Sequence, residues 1–416
     1  MVTKPTQEEN GGVLKALLLE NVHPTAVEIL SSHGYEVITR SGALDEAELI
    51  EALQGVHLLG IRSKTQVTRQ VIDHAPDLIA IGAFCIGTNQ IDLGAAAERG
   101  VGVFNAPFSN TRSVVEMAIS EMISLTRRLP ERNKAMHDGV WDKTADGSHE
   151  IRGKTLGIIG YGNIGTQLSV LAENLGMSVI FYDTAEKLAL GNARRATTLE
   201  ELLGAADVVT IHVDGRPGNA GLFGAEQFAA MKRGAIFLNL SRGFVMDNEA
   251  LRDAIMSGHV AGAAVDVFPT EPKKRGDAFD SELRGLANVI LTPHIGGSTL
   301  EAQESIGEFV ANKLRDYVRT GSTTLSVNLP NLALETTGSI TRIAFLHRNT
   351  PGVLAAVNNA LATHNVNIDG QLLATRGEFG YVVTDAGSSV DPEVLNALKD
   401  IDQYIRIRVM PPSHLR

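Results

Sequence analysis

Leu156-Gly-Ile-Ile159 runs directly into Gly160-Tyr-Gly162-Asn-Ile-Gly165, and the next apolar run, residues 178–182, ends against Asp183. A short apolar strand, a G-x-G-x-x-G turn, a helical segment from Thr166 to Asn174 closed by Gly176, a second strand and then an acidic residue form a complete dinucleotide-binding fingerprint. Gly160 permits the tight turn. Gly162 lets a pyrophosphate approach backbone N–H groups at the positive end of the helix, and Gly165 lets helix and strand pack closely. Asn163 and Ile164 stand between Gly162 and Gly165 in that turn. Asp183 can accept hydrogen bonds from the adenosine ribose and repels a 2′-phosphate, so the pattern selects NAD over NADP.

The fingerprint sits in a longer alternation. Candidate strands fall at residues 155–159, 178–182, 207–212, 235–240, 260–265 and 289–291, six in all, as in a doubly wound parallel sheet. Upstream, apolar runs at residues 14–22, 35–40, 56–61, 78–84 and 101–104 alternate with helical-length segments, which predicts a second parallel α/β sheet. A helix over about residues 110–128 connects the two. Ser113-Val-Val-Glu116 fits a capping box in its first turn, and Pro130 closes it. Residues 300–320 read as one more long helix returning to the first unit. After residue 340 the order becomes βαββαβ, a ferredoxin-like unit, with Asp391-Pro392 as N-cap and N1 of its second helix. The expected organisation is a flexible tail over 1–12, one α/β domain from 13–108 with 299–330, the dinucleotide domain over 109–298, a linker over 331–339, and the small unit over 340–416.

Composition narrows the function classes. The chain has 416 residues, 37 Lys and Arg against 48 Asp and Glu, and a formal net charge of −11. That balance argues against nonspecific nucleic-acid binding, which needs basic surface. The single cysteine, Cys85, permits no intrachain disulfide and reads as a buried structural thiol. No apolar run approaches the ~20 residues of a membrane span, and the polar N-terminus has no signal-peptide core. These features predict a cytoplasmic protein with no membrane partner. No Cys/His cluster has metal-ligand spacing. The lone Trp141 lies in a polar segment, where it anchors a neighbouring subunit or packs on its own domain.

Three polar residues follow consecutive candidate strands, where a doubly wound sheet places its ligand crevice. Arg242 follows residues 235–240, Glu271 lies in Asp266-Val-Phe-Pro-Thr-Glu-Pro272, and His294 lies in Pro293-His-Ile-Gly-Gly297. A guanidinium fork suits a carboxylate and its neighbouring oxygen. A histidine moves a hydroxyl proton near neutral pH, and an adjacent carboxylate orients it and raises its pKa. Arg62 and Lys64 follow the strand at 56–61, and two cations there suit a phosphate.

These residues, with Gly60-Ile-Arg-Ser-Lys-Thr65, Phe84-Cys-Ile-Gly-Thr-Asn89, Phe104-Asn-Ala-Pro-Phe-Ser-Asn-Thr-Arg-Ser-Val114 and Ser241-Arg-Gly243, resemble the D-isomer-specific 2-hydroxyacid dehydrogenase family. Within it the chain is similar to bacterial members that end in one ACT domain. The resemblance runs from about Leu14 to Val409. It implies a flavodoxin-like substrate domain, a Rossmann NAD-binding domain and a C-terminal ferredoxin-like ACT domain.

The resemblance also implies NAD-dependent oxidation of 3-phosphoglycerate in L-serine synthesis, with 2-oxoglutarate reduction as a side activity, L-serine as inhibitor and a homotetramer. Arg242 would orient substrate, His294 would carry the proton, and Glu271 would be its partner. Leu240, Ser241, Arg242, Asp266, His294, Ile295, Gly296 and Gly297 would line the NAD site with the fingerprint residues. Arg62, Ser63 and Asn110 would face substrate, and Asn349 and Asn367 would form the effector site. Two departures stand out: Lys64, where many relatives carry arginine, and Thr336-Thr337-Gly338, where relatives often have paired glycines. The alternatives are another D-2-hydroxyacid dehydrogenase or a non-catalytic NAD-sensing scaffold.

Overall fold

Four-residue strands, too short for a helix turn to compete and flanked by turn residues, build the first sheet. They are β1 (Lys15–Leu18), β2 (Glu36–Thr39), β3 (Leu58–Ile61), β4 (Ala80–Ala83) and β5 (Gly102–Asn105). The computed structural model describes residues 13–272, 276–335 and 341–410. The expected tail at 1–12 and the Thr336-Thr337-Gly338 hinge lie outside the described residues. All five strands run parallel in the order β2-β1-β3-β4-β5, the flavodoxin-like winding. Every residue of β3, β4 and β5 is buried, whereas the edge strand β2 is largely exposed. The chain divides into two compact units, residues 1–109 with 303–416, and residues 110–302.

The second unit holds β6 (Thr155–Ile159), β7 (Ser178–Tyr182), β8 (Arg194–Arg195), β9 (Val208–Ile211), β10 (Ala235–Asn239), β11 (Val260–Val265) and β12 (Val289–Leu291). Their order, β12-β11-β10-β9-β6-β7-β8, reverses direction between β6 and β9, and that switch opens a ligand crevice at the strand carboxyl ends. Seven strands form the sheet, not the expected six. The extra one is two exposed arginines, which pair with β7 but carry no apolar signal to read.

The connecting helix runs Thr111–Thr126 with Asn110 at its N-cap, and the expected capping box is absent. Ser113 Oγ instead meets Thr299 Oγ1 at 2.8 Å, and Glu116 pairs with Arg112 at 2.6 Å. Pro130 does not close this helix. Arg128 turns into the left-handed region (φ 55°), and Pro130 lies in the first turn of the next helix, Leu129–His137, where its missing N–H costs nothing.

The third sheet belongs to the first unit. β13 (Thr341–Arg348), β14 (Ile368–Arg376), β15 (Phe379–Ala386) and β16 (Tyr404–Met410) pair antiparallel in the order β14-β15-β13-β16. Helices Val353–Thr363 and Pro392–Lys399 cover one face. Asp391 is the N-cap as expected, although its side chain makes no capping hydrogen bond. The other face meets the first sheet's domain. The Arg406 guanidinium donates to the Leu78 carbonyl at 2.6 Å, Arg408 to the Tyr317 and Val318 carbonyls at 2.5 and 2.9 Å, and the Tyr381 hydroxyl to the Gly321 carbonyl at 2.8 Å.

Glu121, on the inner face of helix Thr111–Thr126, is 3% exposed and neither carboxyl oxygen has a hydrogen-bond partner among the described residues. Burial, then the negative charge of Asp266, pushes it up to about 8. An acid raised in the folded state destabilises the fold above its unfolded pKa, so this cost grows from about pH 4.5 to 8. Glu121→Gln should therefore raise the thermal midpoint by more at pH 8.5 than at pH 5. The pH-dependent difference should amount to ~2–4 kcal/mol, measured by denaturation across pH.

Candidate active site

Position 160 needs glycine twice over. Its φ is +92°, and a Cβ there would lie 2.7 Å from the His212 carbonyl oxygen. A Cβ on Gly165 would collide with the Gly160 carbonyl, which keeps helix Asn163–Asn174 against β6. A Cβ on Gly162 would meet nothing within 4 Å, so open space lies above the helix start. Gly162 is the N-cap and supplies no side-chain cap, leaving the first helical N–H groups, at Asn163 and Ile164, for an anion. Asp183 follows β7. Its Oδ2 accepts from the Tyr161 N–H and its Oδ1 from the Ala185 N–H, both at 2.8 Å, which fixes the carboxylate with lone pairs to spare. The donor set and the cradle fit a dinucleotide pyrophosphate and a ribose diol.

The turn after β10 carries Leu240, Ser241 and Arg242. Asn239, buried at the strand end, locks it: its Oδ1 accepts from the Ser241 N–H and hydroxyl at 3.1 and 2.8 Å, and its Nδ2 donates to the Arg242 carbonyl at 3.2 Å. Sequence reasoning missed Asn239, whose only signal is an amide at the end of an apolar strand. Arg242 donates one Nη1 hydrogen bond to the Ser241 carbonyl at 2.7 Å.

Adjacent strands β11 and β12 deliver Glu271 and His294 to one point. His294 Nδ1 lies 3.0 and 2.9 Å from the two Glu271 oxygens. Glu271 is anchored in turn by the Phe268 N–H at 3.1 Å. The hydrogen bond to Glu271 raises the His294 pKa against burial, with the Glu271 charge adding to it and Arg242 opposing. Burial would raise Glu271, but the hydrogen bond and charge of His294 outweigh it and hold the carboxyl low. Nδ1 is thus the proton-bearing nitrogen facing the carboxylate, and Nε2 has no partner among the described residues.

His294 has φ 55°, in the left-handed region. Asp266, 2% exposed, holds that loop: its Oδ1 accepts from the Thr292 hydroxyl at 2.6 Å and the Ile295 N–H at 2.8 Å, and its Oδ2 from the Gly296 N–H at 2.8 Å. A Cβ on Gly297 would collide with the Asn110 side-chain amide, whose Oδ1 is buried without a partner among the described residues.

In the first unit, Arg62 and Ser63 follow β3, with Ser63 and Lys64 exposed. Cys85 is partly rather than fully buried, and its Sγ contacts the Gly87 and Arg62 carbonyls at 3.1 and 3.6 Å. Trp141 is 78% exposed, so it does not pack on its own domain. Asn349 donates Nδ2 to the Gly377 carbonyl at 3.2 Å, and Asn367 donates to the Asp369 carboxylate at 2.8 Å. Among the described residues no His, Cys, Asp and Glu group could hold a metal, and no helix is long and apolar enough to cross a membrane.

His294→Ala should lower kcat by roughly 10²–10⁴, the usual worth of a positioned acid–base group. Glu271→Gln should shift the histidine limb of the pH–rate profile toward lower pH, in both reaction directions, because the imidazolium loses its anionic partner. Asp183→Ala should narrow the preference for NAD over NADP, read as the ratio of the two kcat/KM values, since it removes a ribose acceptor and a repulsive charge together.

The family model for "D-isomer specific 2-hydroxyacid dehydrogenase, NAD binding domain" matches residues 119–296, and that for "AHAS small subunit-like ACT domain" matches residues 343–406. D-3-phosphoglycerate dehydrogenase of Escherichia coli K12 is 52% identical over 400 residues, covering 95% of this chain and 97% of that protein. D-3-phosphoglycerate dehydrogenase 1 of Saccharomyces cerevisiae is 48% identical over 404 residues, covering 94% and 86%. Among solved structures, D-2-hydroxyisocaproate dehydrogenase superposes with TM-score 0.69 at 25% identity, covering 76% of this chain and all of that one. D-lactate dehydrogenase of Aquifex aeolicus, complexed with NAD and lactic acid, gives 0.64 at 26% identity, covering 73% and 95%. The chain belongs to the D-isomer-specific 2-hydroxyacid dehydrogenase family, as an NAD-dependent dehydrogenase with a C-terminal ACT domain.

Proposed function

We propose that the chain oxidises 3-phospho-D-glycerate to 3-phosphohydroxypyruvate, the committing reaction toward L-serine. The observation that carries this reading is the near full-length match to curated phosphoglycerate dehydrogenases in a chain whose His294 and Glu271 are already paired. NAD, when bound, supplies the nicotinamide ring that accepts the C2 hydride. His294 Nε2 takes the C2 hydroxyl proton, and Glu271, facing Nδ1, stabilises the imidazolium that results. Arg242 clamps the substrate carboxylate and the C2 oxygen, where negative charge develops when the proton leaves. In the reverse direction the raised pKa of His294 keeps it protonated as the donor to the keto oxygen.

Arg62, Ser63 and Asn110 are the residues we assign to substrate, with Lys64 as a second cation for the 3-phosphate. Lysine delivers charge without the bidentate fork of arginine. Reduction of 2-oxoglutarate fits the same clamp, because that keto acid presents the same carboxylate beside a carbonyl. The exposed Trp141 fits a homo-oligomeric contact, and a cytoplasmic tetramer is the assembly proposed.

For regulation we assign L-serine to Asn349 and Asn367 of the ACT domain. Amide side chains offer the donors and acceptors that a zwitterion needs, and Asp369 beside Asn367 can accept its ammonium group. Steady-state oxidation of 3-phosphoglycerate with NAD, with and without L-serine, tests the whole reading. Turnover should require the phosphorylated acid and fall with serine. Asn349→Ala should weaken serine binding by calorimetry while leaving uninhibited kcat near wild type. Absence of phosphoglycerate turnover would remove the substrate assignment, and equal serine binding by the variant would remove the effector site.

A further inference from the structure

Glu20 lies two residues past β1, 8% exposed, with φ 61°, and Asn21 beside it has φ 54°. Two successive non-glycine residues in the left-handed region are uncommon, and such backbone persists where surrounding contacts over-determine it. The contacts here lead to one place. The Glu20 N–H donates to the Gly42 carbonyl at 3.2 Å, and the Leu19 N–H to the Gly60 carbonyl at 2.8 Å, in the strand that leads to Arg62. The carboxylate then accepts the Lys64 N–H on Oε2 at 3.0 Å and the Thr65 N–H on Oε1 at 2.8 Å.

The far side of the same loop is held as well. Gln90, 4% exposed, donates Nε2 to the Arg62 carbonyl at 2.7 Å and the Gly87 carbonyl at 3.2 Å, and its own carbonyl accepts the Val67 N–H at 2.8 Å. A buried glutamate and a buried glutamine thus fix residues 62–67 by backbone alone. The side chains of Arg62, Ser63 and Lys64 make no hydrogen bond or ion pair among the described residues, although a carboxylate stands beside them. Glu20 forms no ion pair with these cations among the described residues; its two oxygens are engaged by the amides. It also occupies two N–H groups that would otherwise present themselves to an anion.

We infer that Glu20 is a positioning residue for phosphate recognition: by clamping the 64 and 65 amides it presents Arg62, Ser63 and Lys64 as an unpaired, pre-set cradle for the substrate phosphate. This rests on the reading of the substrate as a phosphorylated 2-hydroxyacid. Pre-set geometry lowers the ordering cost of binding, so its loss appears in KM for the group it serves.

The test compares 3-phosphoglycerate with D-glycerate in the full-length enzyme. In Glu20→Gln the amide nitrogen cannot accept a hydrogen bond, so one of the two loop contacts is lost. A charge-assisted hydrogen bond at this depth predicts a rise of roughly 10-fold or more in KM for 3-phosphoglycerate. Meanwhile kcat, the KM for NAD and the KM for D-glycerate should stay within about 3-fold of wild type. Gln90→Ala, which releases the loop from its other side, should reproduce the split and carries the test should Glu20→Gln fold poorly. A wild type that does not favour the phosphorylated acid overturns the substrate reading, and the inference with it. A wild type that does favour it, with variants that keep its KM or raise both acids' KM alike, overturns the positioning role alone.

Discussion

Both oxygens of Asp266 are engaged by the loop that carries His294. One buried carboxylate accepts the Thr292 hydroxyl and the Ile295 and Gly296 amides, and so holds the five residues 292–296 in place. His294 pays for a left-handed backbone within that span and gains the Glu271 carboxylate as partner. Charge-assisted hydrogen bonds of this kind are about twice as strong as neutral ones, which is the order needed to offset the strain of a non-glycine residue there. The same buried charge constrains its surroundings. Glu121 is driven toward the neutral form first by its own burial, and the field of Asp266 pushes it further the same way.

The two parallel sheets solve the same problem of exposing chemistry at the end of a buried scaffold. In each, the central strands, four to six residues long, are largely buried, so side chains that must meet a ligand fall in the turns beyond. The turns are then stiffened by acids and amides acting on backbone: Asn239 behind Arg242, Asp266 behind His294, Glu20 and Gln90 behind Arg62. Asp183 follows this rule while keeping lone pairs for a ligand.

Within the first unit, the antiparallel sheet is joined to the parallel one's domain by arginine rather than by apolar contact alone. Arg342 is fully buried with Asp385 at 2.6 Å, and Arg406 and Arg408 reach carbonyls of residues 78, 317 and 318. Arg408 also stacks 4.2 Å over the Tyr317 ring. Guanidinium groups so placed are costly to strip of their acceptors, which favours this docked arrangement over a loosely tethered one.

Local pattern sufficed for much of this protein. The glycine spacing at 160, 162 and 165 followed by Asp183, the strand bounds at 155–159, 178–182, 260–265 and 289–291, and the helix at 300–320 all follow from short-range sterics and apolar periodicity, so they could be read residue by residue. Arg242, Glu271 and His294 were legible because a strand end predicts where a side chain emerges. Tertiary structure decided the rest. Ser113 has the spacing of a cap, yet a threonine 186 positions away captures it. Two exposed arginines become a strand because β7 offers an edge, and Pro130 starts a helix because Arg128 has already broken the one before. The pairing of Glu271 with His294, the clamp of Asp266 and the grip of Glu20 on residues 64 and 65 join parts of the chain separated by 23 to 45 positions. Hydrogen bonds across such separations depend on how strands register side by side, and no local propensity encodes that.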